Sequence, residues 1–201
     1  MRGKRFLVIG YGNPARADDG LGPALAERLE ALNIPGLTVE SDYQLSIEHA
    51  AMAAEHDIVV FADADGSAGT EPFFLSPVEE EPPGSFTSHS VAPGGILHIA
   101  RSCFDASPSG YLLGIRGEVF EPFTEGLSSA ASEGLEAALE FLPQETQQLA
   151  IGLERGEFPC ALEPEPLATL LREKVAGLRI AASLEAELGR TTGGPKRLPW
   201  A

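Results

Sequence analysis

The chain is poor in basic residues and in long apolar runs. Of its 201 residues only 14 are lysine or arginine, against 30 aspartates and glutamates, which gives a formal charge of −16. This excess of negative charge repels nucleic acid phosphates and anionic lipids, so we expect neither nucleic acid nor a membrane as a partner. No run approaches the roughly 18 apolar residues of a membrane span, and the amino-terminal apolar run is too short for a signal peptide. These absences predict a cytoplasmic protein.

Cysteines and the common protease motifs are scarce as well. Cys103 and Cys160 lie far apart and lack CxxC spacing, so we interpret them as two reduced thiols. The sequence contains no GxSxG elbow, no HExxH helix and no Cys-His pairing near the cysteines. Serine, cysteine and conventional zinc protease mechanisms are therefore disfavoured.

What the sequence does contain is an alternation of short apolar strands and amphipathic helices. With 43% hydrophobic residues, the chain is large enough to bury one sizeable core. After a first strand, which begins at Arg5 and stops at glycines, the leucines at 21, 25 and 29 predict a helix to about Leu32, capped by Asp18 or Asp19. Further strands are predicted at residues 37–40, 58–61, 73–78 (an edge strand) and 111–115, and further helices at 47–55 and 129–142. This order predicts an α/β fold.

The character of the sequence changes at Pro143, so we divide the chain into a domain of residues 1–142 and an extension of residues 143–201. The extension is predicted to contain a connector rich in Gln and Glu, an amphipathic helix at about 167–188 and a mobile tail. The helix is expected to pack on the core through the apolar stripe formed by Leu167, Leu171, Val175 and Leu178. Partner binding, dimerisation and a cover over the cleft remain alternatives, and the oligomeric state stays open.

Three side chains are candidates for a metal site. Asp19 follows the first strand, Asp63 ends a buried strand, and His89 lies in a polar loop before a plausible helix. Because open α/β sheets bind ligands at the carboxyl ends of their strands, the topology can bring all three together. Two carboxylates and one imidazole suit a divalent transition metal. A helix cap, a turn anchor and a solvated loop histidine are the alternative roles, and Asp65 and His98 are the alternative ligands.

The motifs that carry these residues resemble those of the hydrogenase maturation proteases. The first motif is GxGN followed by an acidic pair and GxG, the second is Ala-Asp-Ala after an apolar strand, and the third is a histidine loop. A fourth element is the strand YLLGIRG with a following loop that ends in GLS. The similarity covers residues 4–142, and the four elements lie at residues 10–22, 62–64, 88–90 and 111–128.

The resemblance implies a three-layer α/β/α sandwich around a mostly parallel twisted sheet, here with an extra carboxyl-terminal helix. It implies an endopeptidase that removes the carboxyl-terminal peptide of a nickel-iron hydrogenase large-subunit precursor after nickel insertion. Asp19, Asp63 and His89 would then be the catalytic and metal-binding residues, for nickel or for cadmium or zinc as surrogates. Residues 42–45 (Asp-Tyr-Gln-Leu) depart from the glycine-rich turn of the family, and Pro14 replaces an apolar residue.

Several alternatives stay open at the level of sequence. A metal held by the three side chains would activate water and polarise a carbonyl, whereas a metal already carried by the substrate would leave Asp19 or Asp63 as the general base. A non-catalytic nickel chaperone or adaptor would use the same ligands. A dinucleotide-binding oxidoreductase is a weaker alternative, based on a partial GxGxxA pattern at Gly10, Gly12 and Ala15 with Glu40 nearby.

Overall fold

The computed structural model describes residues 5–67, 69, 71–82 and 91–154, and residues 143–154 for the backbone only. Four of the sequence-based predictions lie outside the described residues. They concern His89, the thiol of Cys160, the helix at 167–188 and the carboxyl-terminal tail.

A five-stranded sheet forms the centre of the fold. The strands are β1 (Phe6–Tyr11), β2 (Leu37–Asp42), β3 (Ile58–Asp65), β4 (Phe73–Val78) and β5 (Ser109–Arg116), and the helices are α1 (Leu21–Ala31), α2 (Glu48–Ala54), α3 (Pro93–Phe104) and α4 (Ser129–Glu154). The strand order is β2-β1-β3-β5-β4. All neighbours pair in parallel except β4, which pairs antiparallel to β5. Strand β4 lies at the edge of the sheet, as the sequence predicted.

Helices cover both faces of this sheet, so the predicted three-layer α/β/α sandwich is confirmed. Helices α1 and α4 contact each other, as do α2 and α3. Side chains alternate along a strand, and the odd-numbered residues of β1 and β3 face the α2 and α3 layer. Between the sheet and these two helices lies a cluster of buried apolar side chains, which includes Leu7, Ile9, Val59, Phe61, Ala50, Ala53, Ile96 and Ala100.

Helix α1 lies unusually close to the sheet because two glycines face each other. A Cβ on Gly22 would lie 2.5 Å from the carbonyl oxygen of Ala62 and closer still to that of Tyr11. A Cβ on Gly10 would collide in turn with the backbone of Gly22. Only glycine permits this approach, which holds the amino-terminal end of α1 against the carboxyl ends of β1 and β3. The spacing of glycines in the first motif thus has a packing reason.

Two local predictions need correction. Neither Asp18 nor Asp19 caps α1, because Gly20 is the N-cap residue and no side chain bonds to the helix terminus. Helix α4 does not end at Leu142 but continues to Glu154. Pro143 lacks one backbone donor, yet the residues that follow it are mostly good helix formers. Helix α4 thus continues across residue 142, whereas the division of the chain into a domain and an extension stays a prediction.

None of the helices in the described part of the chain has both the length and the apolar character needed to cross a membrane.

Candidate active site

The candidate site lies at the carboxyl edge of the two central strands. Strand β1 ends there at Tyr11, and β3 ends there with Asp63 and Asp65 among its last residues. A short 3-10 turn, Ala17–Gly20, carries Asp19 between β1 and α1. Gly12 opens this connection with a φ of +137°, and its position is so tight that a Cβ would collide with the carbonyl oxygen of Asp19. Glycine is needed at position 12 so that the chain can turn back over the sheet.

Asp63 is the central carboxylate of the site. It is half-buried, its Oδ1 accepts a hydrogen bond from the backbone N–H of Ala64 at 2.8 Å, and its carboxylate also accepts one from the hydroxyl of Tyr11. Burial is the main cause that raises the pKa of Asp63, and the negative charges of Asp19 and Asp65 raise it further. The two hydrogen bonds lower it only in part. The carboxylates of Asp19 and Asp65 are therefore close enough to Asp63 to raise its pKa by electrostatic repulsion.

Tyr11 and Asp63 form a coupled pair across adjacent strands. Burial, the charge of Asp63 and the hydrogen bond to Asp63 all raise the pKa of Tyr11 well above its ordinary value. The phenol therefore keeps its proton and stays a donor, and it holds the Asp63 carboxylate in a fixed orientation. No role was predicted for Tyr11 from the sequence. Its place at the last position of β1, next to a strand that ends in an aspartate, was the available signal.

Asp19 faces the same edge and is half-buried. Its Oδ2 accepts a hydrogen bond of 3.2 Å from the backbone N–H of Asn13, which fixes the carboxylate against the loop that follows β1. Within the described residues neither Asp19 nor Asp63 forms an ion pair with a lysine or arginine. The two carboxylates repel each other, so a cation placed between them would be stabilised.

Asp18, the other member of the acidic pair, has a different environment. Its side chain is fully buried and accepts four hydrogen bonds, all from the loop that follows β5. The donors are the backbone N–H groups of Glu118, Val119 and Ser128 and the hydroxyl of Ser128, at 2.7 to 2.8 Å. Burial alone would raise the pKa of Asp18, but these bonds outweigh it and hold the pKa below its usual range. Asp18 is thus a structural anchor.

The loop of residues 117–128 is bound to the β1–α1 connection by further hydrogen bonds. The N–H of Thr124 donates to the carbonyl of Ala15 at 3.2 Å, and the N–H of Ala17 donates to the carbonyl of Thr124 at 2.7 Å. The guanidinium of Arg16 also donates to the carbonyl of Phe120. These contacts join the two loops into one rim of the site. The family resemblance indicated this loop, but the sequence did not predict that the loop donates hydrogen bonds to Asp18.

The alternative ligands have other partners. Asp65 accepts hydrogen bonds from the N–H and the hydroxyl of Ser67, at 3.2 and 2.5 Å, so it closes a local turn. His98 lies within α3 and pairs with Glu80 at 3.0 Å, which also binds Arg101. His98 therefore lies outside the carboxyl edge, whereas Asp65 remains close enough to influence Asp63.

The donors present fit a divalent transition metal in part. Asp19 and Asp63 supply two oxygen ligands that are close enough to interact and that form no ion pair with a lysine or arginine among the described residues. No group of three potential ligands occurs within the described part of the chain, and the third predicted ligand, His89, lies outside it. Two of the three predicted side chains are therefore at one edge of the sheet, and the position of the third stays a prediction.

A dinucleotide does not fit the same loop. A pyrophosphate would need the free amino terminus of α1, but the connection folds over it, and the Cα of Pro14 lies 2.9 Å from where a Cβ of Gly20 would be. The carboxylates of Asp18 and Asp19 add negative charge beside that position. These two features argue against an oxidoreductase of this type.

Comparison with known proteins agrees with the motifs. No protein-family model and no curated protein matches the chain in sequence. Among solved structures, the hydrogenase maturating endopeptidase HybD from E. coli is 27% identical with a TM-score of 0.55, and the match covers 76% of this chain and 94% of HybD. In fold and at the motifs of its first strand and turn, the chain is similar to the hydrogenase maturation proteases.

Two archaeal structures share the fold. The NiFe hydrogenase maturation protease HycI from Thermococcus kodakarensis is 22% identical with a TM-score of 0.59, over 72% of this chain and 94% of that one. The hydrogenase 2 maturation peptidase from Thaumarchaeota archaeon SCGC_AB-539-E09 is 23% identical with a TM-score of 0.54, over 73% and 99%. Both of these relatives are named as a protease or a peptidase, and roughly a quarter of this chain lies outside each match.

Proposed function

We propose that the protein is an endopeptidase that removes the carboxyl-terminal peptide of a nickel-iron hydrogenase large-subunit precursor after nickel insertion. The observation that carries the proposal is the pair Asp19 and Asp63 at the carboxyl edge of β1 and β3, on the fold of the maturation endopeptidases. The same edge is where open α/β sheets bind their ligands. The substrate proposed here is a polypeptide whose nickel is part of the cargo.

The reaction requires a water molecule that attacks the scissile carbonyl and a proton that reaches the leaving amine. In the proposed mechanism Asp63 accepts the proton of the attacking water as the C–O bond forms, and returns it to the nitrogen as the C–N bond breaks. The Tyr11 hydroxyl keeps Asp63 oriented through both steps. Asp19 is the alternative base, and its carboxylate is held by Asn13.

The nickel of the precursor is proposed to bind to Asp19, Asp63 and His89, which would restrict cleavage to the loaded substrate. When bound, a divalent metal would supply Lewis acid polarisation of the carbonyl and a lower pKa for water. Cadmium or zinc would serve as surrogates, since their ligand preferences overlap with those of nickel.

The test is cleavage of the nickel-loaded precursor, followed by intact-mass spectrometry. Wild-type protein should release a short carboxyl-terminal peptide, and precursor without nickel should stay intact. Asp63→Asn, Asp19→Asn and His89→Ala should each abolish or strongly slow cleavage. Asp105→Asn is the matched control, because Asp105 follows α3 at the opposite edge of the sheet and its loss changes the charge equally.

Each contrary result has a distinct meaning. Cleavage of precursor regardless of nickel would refute metal sensing but keep the peptidase. Intact precursor under every condition would refute the peptidase and leave a nickel-binding chaperone or adaptor. Full activity of the Asp63→Asn variant would remove Asp63 from the mechanism.

A further inference from the structure

His49 is a buried polar side chain to which the proposed mechanism assigns no role. It lies in the first turn of α2, is 4% exposed, and is followed on the same helix by the buried residues Ala50 and Ala53. Burying an imidazole costs free energy unless its nitrogens have partners. An apolar side chain would avoid that cost at this position, so the partners of His49 indicate what the imidazole contributes.

The partner of Nδ1 fixes the tautomer of the ring. Nδ1 accepts a hydrogen bond of 2.9 Å from the backbone N–H of Ser46, and Oγ of Ser46 lies 3.2 Å away. The carbonyl of Ser46 is farther from Nδ1, at 3.3 Å, and already accepts the N–H of His49. Nδ1 is therefore assigned as the acceptor, which places the ring proton on Nε2. In this tautomer neither nitrogen is free to bind a metal, so His49 is not a further ligand.

The carboxylate of Asp42 is the partner of the protonated nitrogen. Nε2 of His49 lies 3.8 Å from Oδ2 of Asp42, and Oδ1 of Asp42 accepts the N–H of Tyr43 at 2.6 Å. A distance of 3.8 Å is longer than a hydrogen bond, but the attraction between an N–H group and a carboxylate is only weakly screened at a buried nitrogen. His49 therefore holds the turn after β2 against the start of α2.

Asp42 connects this turn to the candidate site. It ends β2 in register with Tyr11, and its carbonyl accepts the N–H of Gly12 at 3.2 Å. The N–H of the next residue, Asn13, donates to Oδ2 of Asp19. Consecutive contacts therefore lead from the imidazole through Asp42 and Gly12 to the carboxylate of Asp19.

We propose that His49 is a positioning residue of the candidate site, which keeps the ends of β2 and β1 together and thereby holds the N–H of Asn13 toward Asp19. The inference rests on the proposed function and concerns how its carboxylates are kept in place. Asp19 and Asp63 repel each other, and a fixed hydrogen-bond donor offsets that repulsion. The role also fits residues 42–45, where side chains rather than glycines hold the turn.

The first test is amide hydrogen exchange of the full chain, measured by NMR without the precursor. His49→Leu should speed exchange at Gly12 and Asn13 by roughly tenfold, because a hydrogen bond that loses its support is weakened by up to about that factor. The N–H of Ala17, which lies later in the same connection and donates to Thr124, should exchange at the wild-type rate. A role in overall stability alone would speed exchange at all of these amides alike.

Two polar variants separate the contacts of the ring. The amide of glutamine reaches the position of Nε2 and can donate to Asp42, whereas the shorter amide of asparagine reaches only the position of Nδ1 and can accept from Ser46. His49→Gln should therefore keep exchange at Gly12 and Asn13 within about threefold of wild type, and His49→Asn should resemble His49→Leu. These two variants carry the test if His49→Leu does not fold.

His56→Leu is the matched control. His56 lies just after α2, and its ring nitrogens contact the carbonyl of Met52 at 2.7 Å and the hydroxyl of Thr38 at 2.8 Å. Thr38 is near the start of β2 rather than its end. Loss of the His56 ring should therefore leave exchange at Gly12 and Asn13 unchanged.

Cleavage of the nickel-loaded precursor is the second test. The value of kcat/KM should fall roughly tenfold or more for His49→Leu, since a small displacement of a carboxylate in the site is costly in rate. It should stay unchanged for His56→Leu. A wild-type kcat/KM in His49→Leu would refute the positioning role.

The outcomes separate this inference from the proposed function. If wild type cleaves the precursor and His49→Leu leaves exchange at Gly12 and Asn13 unchanged, the positioning role is refuted while the peptidase stands. An even rise in exchange at every amide, or equal effects of the glutamine and asparagine variants, refutes it as well. If wild type leaves the precursor intact and exchange rises at Gly12 and Asn13 alone, the positioning role stands and the peptidase is refuted.

Discussion

At the scale of residues, the two members of the acidic pair have opposite roles. Asp18 is buried and bonded to four donors, whereas Asp19 is half-buried and faces Asp63. Asp19 was predicted as a ligand from its position after the first strand and from the family resemblance. Sequence reasoning could not assign Asp18, because the four donors lie about 100 residues further along the chain and only the folded loop brings them near.

Asp18→Asn is predicted to lower the free energy of unfolding by about 2–4 kcal/mol, because the amide group would point a donor at backbone donors in a buried position. Urea unfolding at pH 7 measures the change. Asp57→Asn is the control: the Asp57 carboxylate accepts one backbone hydrogen bond, from Arg5, in an exposed position, and its change should stay below about 1 kcal/mol. Equal losses in the two variants would contradict the anchoring role of Asp18.

The unfolding free energies of the wild type and of the Asp18→Asn variant should also depend differently on pH. Because the folded pKa of Asp18 lies below its unfolded value of about 3.9, its contribution to stability is complete above that pH. The contribution is lost as the pH falls through the folded pKa. The gap in unfolding free energy between wild type and Asp18→Asn should therefore narrow as the pH is lowered below about 4. A gap that stays constant down to pH 2 would contradict the lowered pKa.

At the scale of elements, sequence periodicity predicted most of the strands and helices. Unbroken apolar runs such as residues 58–61 mark the buried central strands, and β4 was predicted with its observed bounds because prolines limit it. Boundaries were less predictable where tertiary contacts extend an element. Strand β5 runs from Ser109 to Arg116 because it pairs along the full length of β3. The predicted end of α4 at Leu142 is wrong because Pro143 does not terminate the helix.

The close packing of α1 against the sheet could not be predicted from the sequence either. The glycines of the first motif were interpreted through resemblance, but Gly22 is required by the carbonyl oxygens of Tyr11 and Ala62. Only the packed structure shows which glycine has backbone on two sides.

Gly22→Ala is predicted to destabilise the protein by about 1–3 kcal/mol or more, since the added methyl group forces α1 away from β1 and β3. Gly69→Ala is the control, because a Cβ at Gly69 meets no atom within 4 Å. That change should stay within about 0.5 kcal/mol. Urea unfolding compares the two variants, and a neutral Gly22→Ala would mean that the helix moves without cost.

A displaced α1 should also slow precursor cleavage, because the turn that carries Asp19 leads directly into this helix.

At the scale of the whole molecule, the described core lies within the part of the chain that resembles the family. Among the residues whose side chains the structure describes, the buried apolar ones lie between Phe6 and Leu142. The acidic composition disfavours nucleic acid as a partner, but it gives no information about the extension. The sequence stripe at residues 167–178 still predicts a packed helix, so the extension requires its own test.

A chain that ends at Cys160 is predicted to unfold cooperatively and to cleave the nickel-loaded precursor, because the described core and the candidate ligands precede that residue. Thermal unfolding and intact-mass spectrometry check the two halves of the prediction. The full-length chain is the control for both. A truncated protein that aggregates or melts at least 10 °C lower would show that the stripe formed by Leu167, Leu171, Val175 and Leu178 covers the core, since each buried leucine contributes about 2 kcal/mol. A truncated protein that stays folded but leaves the precursor intact would instead assign substrate binding to residues 161–201.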